Sequence, residues 1–214
     1  IRRDIVRMVH AVNSGHPGGS LGCTDFLTAL YFKVMKHNPS FDMNATEEDV
    51  FVLSNGHISP VFYSTLARSG YFDKKELGTF RKINSRLQGH PATHEHLPGI
   101  RMASGSLGQG LSVAAGAALT KKLNGKKELV FSLHGDGELN EGQIWEAAMY
   151  IAANKILNLC TIIDYNKFQN ELSIYDTLDL GNIKKKFESF GFLTIEINGH
   201  NFFSIKNALR NLDD

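Results

Sequence analysis

The stretch from Glu128 to Phe168 constrains this chain most. An apolar run, Leu129 to Leu133, ends in Gly135-Asp136-Gly137; a helical pattern follows from about Glu141, and a second apolar run, Leu159 to Ile163, ends in Asp164-Tyr165-Asn166. Two strands joined by a crossover of this length predict a β-α-β unit whose strands are parallel neighbours with their carboxyl ends on one edge. Asp136 and Asn166 then stand side by side where open α/β sheets take ligands. A carboxylate and an amide oxygen are hard donors suited to Mg²⁺ or Ca²⁺. Magnesium uses few protein ligands and fills its octahedron with phosphate oxygens and water. Gly135 and Gly137 let backbone approach a ligand closely, and the helix start near Glu141 favours an anion. The residues alone leave two readings open, a magnesium-diphosphate cradle or a sharp strand-to-helix turn with an aspartate near its cap.

Taken in order, the chain predicts a helix over Ile5 to Val12, stopped by Asn13-Ser14-Gly15, then a glycine- and proline-rich loop, Gly15 to Ser20, that carries His16. A second helix is expected over Thr24 to Met35, a short buried strand over Asp49 to Ser54, and a turn, Asn55-Gly56-His57, at its end. Helices follow at Pro60 to Arg68 and, capped by Asp73, at Asp73 to Arg81. The region from Leu87 to Gly108 has no sustained period and reads as a long loop carrying His90, His94 and His96. These three histidines lack the cysteines or the i, i+4 helical pairing of usual zinc sites. A small-residue helix, Leu111 to Leu123, suits close packing against a sheet or a neighbouring subunit. A helix over Ile183 to Phe190, a strand over Phe192 to Ile197 and a last helix over Phe202 to Leu212 complete the expectation.

A length of 214 residues suits one large domain, and a net charge of +1 provides no basic face for nucleic acid. Cys23 and Cys160 sit in apolar surroundings with no framework spacing, which fits a reducing compartment. With no signal-peptide pattern and no apolar run long enough to span a bilayer, a soluble cytoplasmic protein without a membrane partner is expected.

Five motifs in order, GHPGGSLG, LSNGH, GHP, GSLGQG and GDGELNEGQIWEA, with Asn166 beyond them, resemble the N-terminal, diphosphate-binding part of transketolase. The resemblance covers nearly the whole chain and is greatest to the short N-terminal subunits of split transketolases. It implies a three-layer thiamine diphosphate-binding fold, α/β with a mainly parallel sheet and helices on both faces, residues 1–214 forming the diphosphate-binding domain. By the same resemblance, Asp136, Asn166 and the carbonyl of Phe168 hold Mg²⁺ (or Ca²⁺), while His57, Gly105, Leu107, Gly135 and Gly137 line the cofactor. His16 and His90 serve proton transfer and sugar binding, and Glu141 and Glu146 face a partner in a shared carboxylate network.

The implied reaction moves a two-carbon ketol unit from a ketose, usually phosphorylated, to an aldose. The implied partner is a separate C-terminal subunit with the pyrimidine-binding domain, in an α₂β₂ assembly, because that domain is absent from these residues; the arginines that usually bind sugar phosphate are absent too, which leaves the substrate a sugar or a sugar phosphate. Two departures stand out. Gln169-Asn170-Glu171-Leu172-Ser173 replaces a glycine-rich turn, and Ser106 stands where proline is common. The alternatives are another thiamine diphosphate enzyme, such as 1-deoxyxylulose-5-phosphate synthase or a phosphoketolase, a non-catalytic regulatory partner, or, without the resemblance, a Mg-dependent phosphohydrolase using Asp136.

Overall fold

The computed structural model describes residues 1–169 and 172–210. Its residues fall into two units, one made of Ile1–Asp49, Gly56–Gly105 and the residues from Asn198 onward, the other of Val50–Asn55 and Ser106–Ile197.

In the first unit, helix α1 (Arg2–Val12) buries Ile5 and Met8 on one face, and Asn13 ends it in the left-handed conformation at φ 46°, a role asparagine fills readily. The GHPGGS segment, expected as a loop, is instead largely helical. Helix α2 (Pro17–Gly22) starts with Pro17 in its first turn, where the missing N–H is harmless and the fixed φ helps, and Ser20 Oγ donates back to the His16 carbonyl at 2.8 Å. Helix α3 (Thr24–Ala29) runs on through a π-type turn to Val34. Helix α4 (Ser59–Arg68) is buried along almost its whole length. Asp73 does cap the next segment, accepting from Lys75 N at 2.9 Å, yet Lys74–Thr79 is a 3₁₀ helix and not the expected α-helix. Gly78 and the β-branched Thr79 weaken an α-helical continuation there.

One ion pair, with its carboxylate buried and its guanidinium partly exposed, joins α1 to α4. The Asp4 carboxylate accepts from Arg68 Nε at 2.5 Å and Nη2 at 2.9 Å, and from Ser64 Oγ at 2.7 Å.

The second unit is built on continuous apolar runs, the pattern of strands covered on both faces. Strand β1 (Val50–Leu53) pairs in parallel with β2 (Val130–Gly135), and β2 pairs in parallel with β3 (Leu159–Asp164), giving the order β1-β2-β3. Helix α5 (Gln109–Leu123) packs on all three strands and on α6 (Gly142–Ala153), so β2-α6-β3 is the expected parallel unit. The chain is therefore α/β, with a parallel sheet flanked by helices.

Beyond β3, a hairpin of two residues per strand, β4 (Phe168–Gln169) and β5 (Leu172–Ser173), leads into α7 (Ile174–Thr177) and α8 (Ile183–Ser189). Asn170 and Glu171, within the departure from the glycine-rich turn, lie outside the described residues. The strand expected over Phe192 to Ile197 is not formed. Its apolar positions alternate as a strand requires, but no described ladder takes it up, and Leu193 and Ile195 remain exposed. Helix α9 (Phe202–Arg210) belongs to the first unit and packs on α3; the expected continuation to Leu212 lies outside the described residues.

The Arg68 hydrogen bonds, outweighing burial, hold the Asp4 carboxyl at about 2, below its ordinary 3.8. A folded-state value below the unfolded one stabilises the chain fully above about pH 4, and that contribution disappears as pH falls towards 2. Asp4→Asn should cost about 1–3 kcal/mol at pH 7, less than a fully buried pair because Arg68 is partly exposed. The variant and the parent should converge in stability on acidification, which chemical denaturation at pH 7 and pH 2.5 measures.

Candidate active site

The residues of interest fall into two clusters, one within each unit. In the first unit His16 stands just before α2, at its N-cap position, and His57 sits in the 3₁₀ turn Gly56–Ile58. Their rings meet edge-on, with centroids 5.1 Å apart and planes tilted by 62°. Gly56 permits this turn, since a Cβ there would collide with Ser104. His90 lies against Gly105, whose φ of +148° suits glycine and whose added Cβ would stand 3.3 Å from His90 Cγ.

Arg81 lies beneath these loops. It donates from Nη1 to Ser14 Oγ at 2.7 Å, and its guanidinium fills the space a side chain at position 89 would need. Burial first, and the Arg81 charge second, hold the His16 imidazole below its ordinary 6.5. Burial, Arg81 and then His16 do the same to His90. Both rings are therefore neutral at pH 7 and able to accept a proton. His94 is largely exposed and pairs with Glu95, at 3.3 Å.

In the second unit, the register Gly135↔Asp164 brings the ends of β2 and β3 together, and Asp136 N donates to the Asp164 carbonyl at 3.2 Å. Asp136 Oδ2 accepts from Lys167 N at 2.6 Å and Oδ1 from Gly137 N at 2.8 Å. Asn166, next to Lys167, accepts at Oδ1 from Phe168 N at 2.9 Å and donates from Nδ2 to Asp164 Oδ2 at 3.0 Å. The structure thus brings Asp136 onto the turn after β3 that contains Asn166, the neighbour that the sequence spacing predicts.

Burial raises the Asp136 carboxyl above its ordinary range despite the N–H groups of Lys167 and Gly137, and Asp164 adds to the rise. A buried carboxylate with backbone donors and an acidic neighbour favours a cation. Asn55, buried at the end of β1, has an Oδ1 with no hydrogen-bond partner among the described residues. Among those residues no three His, Cys, Asp or Glu side chains gather to hold a metal ion. A cation here would therefore use Asp136 with amide and backbone oxygens, the hard set that suits magnesium beside phosphate.

Gly135 lies against Asn55, and a Cβ on Gly137 would press on Gln169 at 3.0 Å. Glu141 stands at the start of α6 against Gly108, whose added Cβ would lie 2.7 Å from Glu141 Cβ, while Glu141 and Glu146 are both exposed. Leu107 is half-buried in the turn before α5.

Two groups carry no role in the sequence reading. Arg81 is one, and Glu138 is the other. Glu138, buried in the 3₁₀ turn Gly137–Asn140, accepts from Ser54 Oγ, from Gly108 N at 2.8 Å and from Gly135 N at 3.2 Å, with His134 Nδ1 3.5 Å away. Burial pushes its carboxyl up, but His134, Ser54 and Gly108 outweigh that and leave it below its ordinary value. The only local signal is a second acid two residues after Asp136.

Residues 1–213 match the family model described as transketolase, thiamine diphosphate binding domain. Among curated relatives, an apulose-4-phosphate transketolase subunit of Actinobacillus succinogenes is 38% identical over 213 residues, covering 99% of this chain and 76% of the relative. The 6-deoxy-6-sulfo-D-fructose transketolase subunit SqwG of a Clostridium species is 37% identical, covering 98% and 75%. Among solved structures, the transketolase of Campylobacter jejuni superposes with a TM-score of 0.91 at 35% identity, covering 99% of this chain and 34% of that one. The chain spans about a third of the length of the solved transketolases it matches.

In the chain as it stands, His16 and His90 should titrate below pH 6.5 when followed by NMR of the imidazole protons. Arg81→Met should move both midpoints upward. Midpoints that stay put would exclude the guanidinium as a cause.

Proposed function

The chain belongs to the transketolase family through its thiamine diphosphate-binding domain, and from that premise we propose that it is the N-terminal subunit of a split transketolase. It transfers a two-carbon ketol unit from a ketose, or ketose phosphate, to an aldose or aldose phosphate. The observation that carries this reading is the buried Asp136 held by the N–H next to Asn166, a hard-donor cradle whose carboxylate is bonded by backbone N–H groups.

Asp136, Asn166 and the Phe168 carbonyl would hold Mg²⁺, Gly135 and Gly137 would admit the diphosphate, and His57, Gly105 and Leu107 would also serve the cofactor. Thiamine diphosphate, when bound, supplies the electron sink for carbon-carbon bond cleavage. His16 and His90, kept neutral by burial and by Arg81, accept and return protons at substrate hydroxyls and orient the sugar. Gly56 and Gly105 keep the loops bearing His57 and His90 close-packed, so these groups need little reorganisation on binding.

The second subunit would bring the pyrimidine-binding domain, in an α₂β₂ assembly. Relatives that are themselves named as transketolase subunits support a separate partner chain. Exposed Val113 and Gly116 on α5, with Glu141 and Glu146 beside and on α6, are the surface offered to it. Both cysteines are unbridged, which accords with a cytoplasmic enzyme. No helix among the described residues is long and apolar enough to cross a membrane.

Calorimetric titration of thiamine diphosphate with Mg²⁺ into the chain mixed with its pyrimidine-domain partner should give saturable binding. Asp136→Ala should weaken it by about 100-fold or more, the upper range for losing metal-site groups. His16→Ala should leave cofactor binding in place and lower kcat for ketol transfer by about 100-fold or more. No ketol transfer by the reconstituted pair with any ketose would refute the assignment.

A further inference from the structure

Glu138 is 2% exposed, its carboxylate bonded to no lysine or arginine among the described residues. Its two oxygens reach three separate stretches of chain. Oε1 accepts from Ser54 Oγ, at the end of β1, and from Gly108 N, at the start of α5; Oε2 accepts from Gly135 N, at the end of β2. The network extends one step further, because Ser54 Oγ itself accepts from Gly110 N at 3.1 Å. Ser54 is also packed against Gly110, where a Cβ would collide with it.

Both glycines that open α5 are therefore fixed by one carboxylate, directly at Gly108 and through Ser54 at Gly110. Backbone N–H groups and the Ser54 hydroxyl converge on it, and the buried His134 ring stands 3.5 Å from Oε1, so the carboxylate is needed as an acceptor at both oxygens. No uncharged side chain of the same shape offers that. A glutamine keeps one oxygen but turns an NH₂ group on either Gly135 N–H or the Ser54 and Gly108 pair, setting donor against donor in a buried place.

We propose that Glu138 is a positioning residue for the cofactor site, a buried clasp that sets the turn 106–110 and the end of β2 in the spacing the bound cofactor needs. The inference rests on the thiamine diphosphate reading above. It adds a residue that touches neither the cofactor nor the substrate and acts through the backbone of Gly108, Gly110 and Gly135. A clasp of this kind governs how much of the protein is ready to bind, so its loss appears in affinity and not in the rate of the saturated enzyme.

The test uses the chain reconstituted with its partner and reads two quantities at saturating Mg²⁺, the thiamine diphosphate affinity by calorimetry and kcat once the cofactor is saturating. Glu138→Gln should weaken affinity by about 10- to 100-fold, the range for partners that orient ligand-binding groups. Its kcat at saturation should stay within about twofold of the parent, a split that general destabilisation would not produce. Ser54→Ala, which cuts only the link to Gly110 and one bond to Glu138, should weaken affinity by about three- to tenfold. If Glu138→Gln does not fold, as judged by circular dichroism, Ser54→Ala decides. Affinity within about twofold of the parent in the folded variants overturns the inference and leaves the thiamine diphosphate reading standing, as does a fall in kcat at unchanged affinity. Absence of binding by the parent complex overturns both.

Discussion

The parallel pairing of β2 with both its neighbours is the constraint on which the second unit depends. Each of its residues from Val130 to Leu133 has a parallel partner on either side, and both faces of the strand are buried over that span. Parallel strands deliver all their carboxyl ends to one edge, so Ser54, Gly135 and Asp164 arrive together. The chemistry of that edge follows from what the sequence places one or two residues later. Asp136 meets the turn at Lys167, Asn55 keeps a buried carbonyl oxygen without a partner among the described residues, and Glu138 takes up the donors that the converging ends would otherwise leave unsatisfied.

Much of this was legible because it is local and periodic. The runs Leu129 to Leu133 and Leu159 to Ile163, and the glycines around Asp136, announce two parallel strands and a sharp turn after the first without reference to anything distant. What escaped reading is non-local or too short to carry a period. Glu138 finds Ser54 across 84 positions and Gly108 across 30, separations that no window along the chain detects. The hairpin of β4 and β5 has two residues per strand, below any alternation signal. The GHPGGS segment misleads for a different reason. Its glycines and proline suit a loop, yet a proline in the first turn is also a helix start, and packing of α2 on α1 and α4 selects the helix. Phe192 to Ile197 misleads in the reverse direction, since alternation promises a strand only where a neighbouring edge takes it up.

In the histidine cluster, the position of a single cation matters more than the number of imidazoles. Arg81 has a positive φ of 55°, an unusual conformation for a long side chain, and is held there by Leu87 and Ser14. Its guanidinium lies close enough to bear on both His16 and His90. Two rings that burial alone would render less basic are thereby biased in the same direction, a shared bias that neither loop creates by itself.

Trp145, the one tryptophan of the chain, donates from its indole N–H to the Leu139 carbonyl at 2.9 Å, inside the turn that carries Glu138. Its ring also packs on Phe187, with centroids 5.3 Å apart, and on Phe190. The indole therefore joins the turn that carries Glu138 to α8 in a way that light can read. Any displacement of Leu139 changes the polarity around a single emitter, so the intrinsic fluorescence of the native chain is an optical record of that turn, with no second tryptophan to blur it.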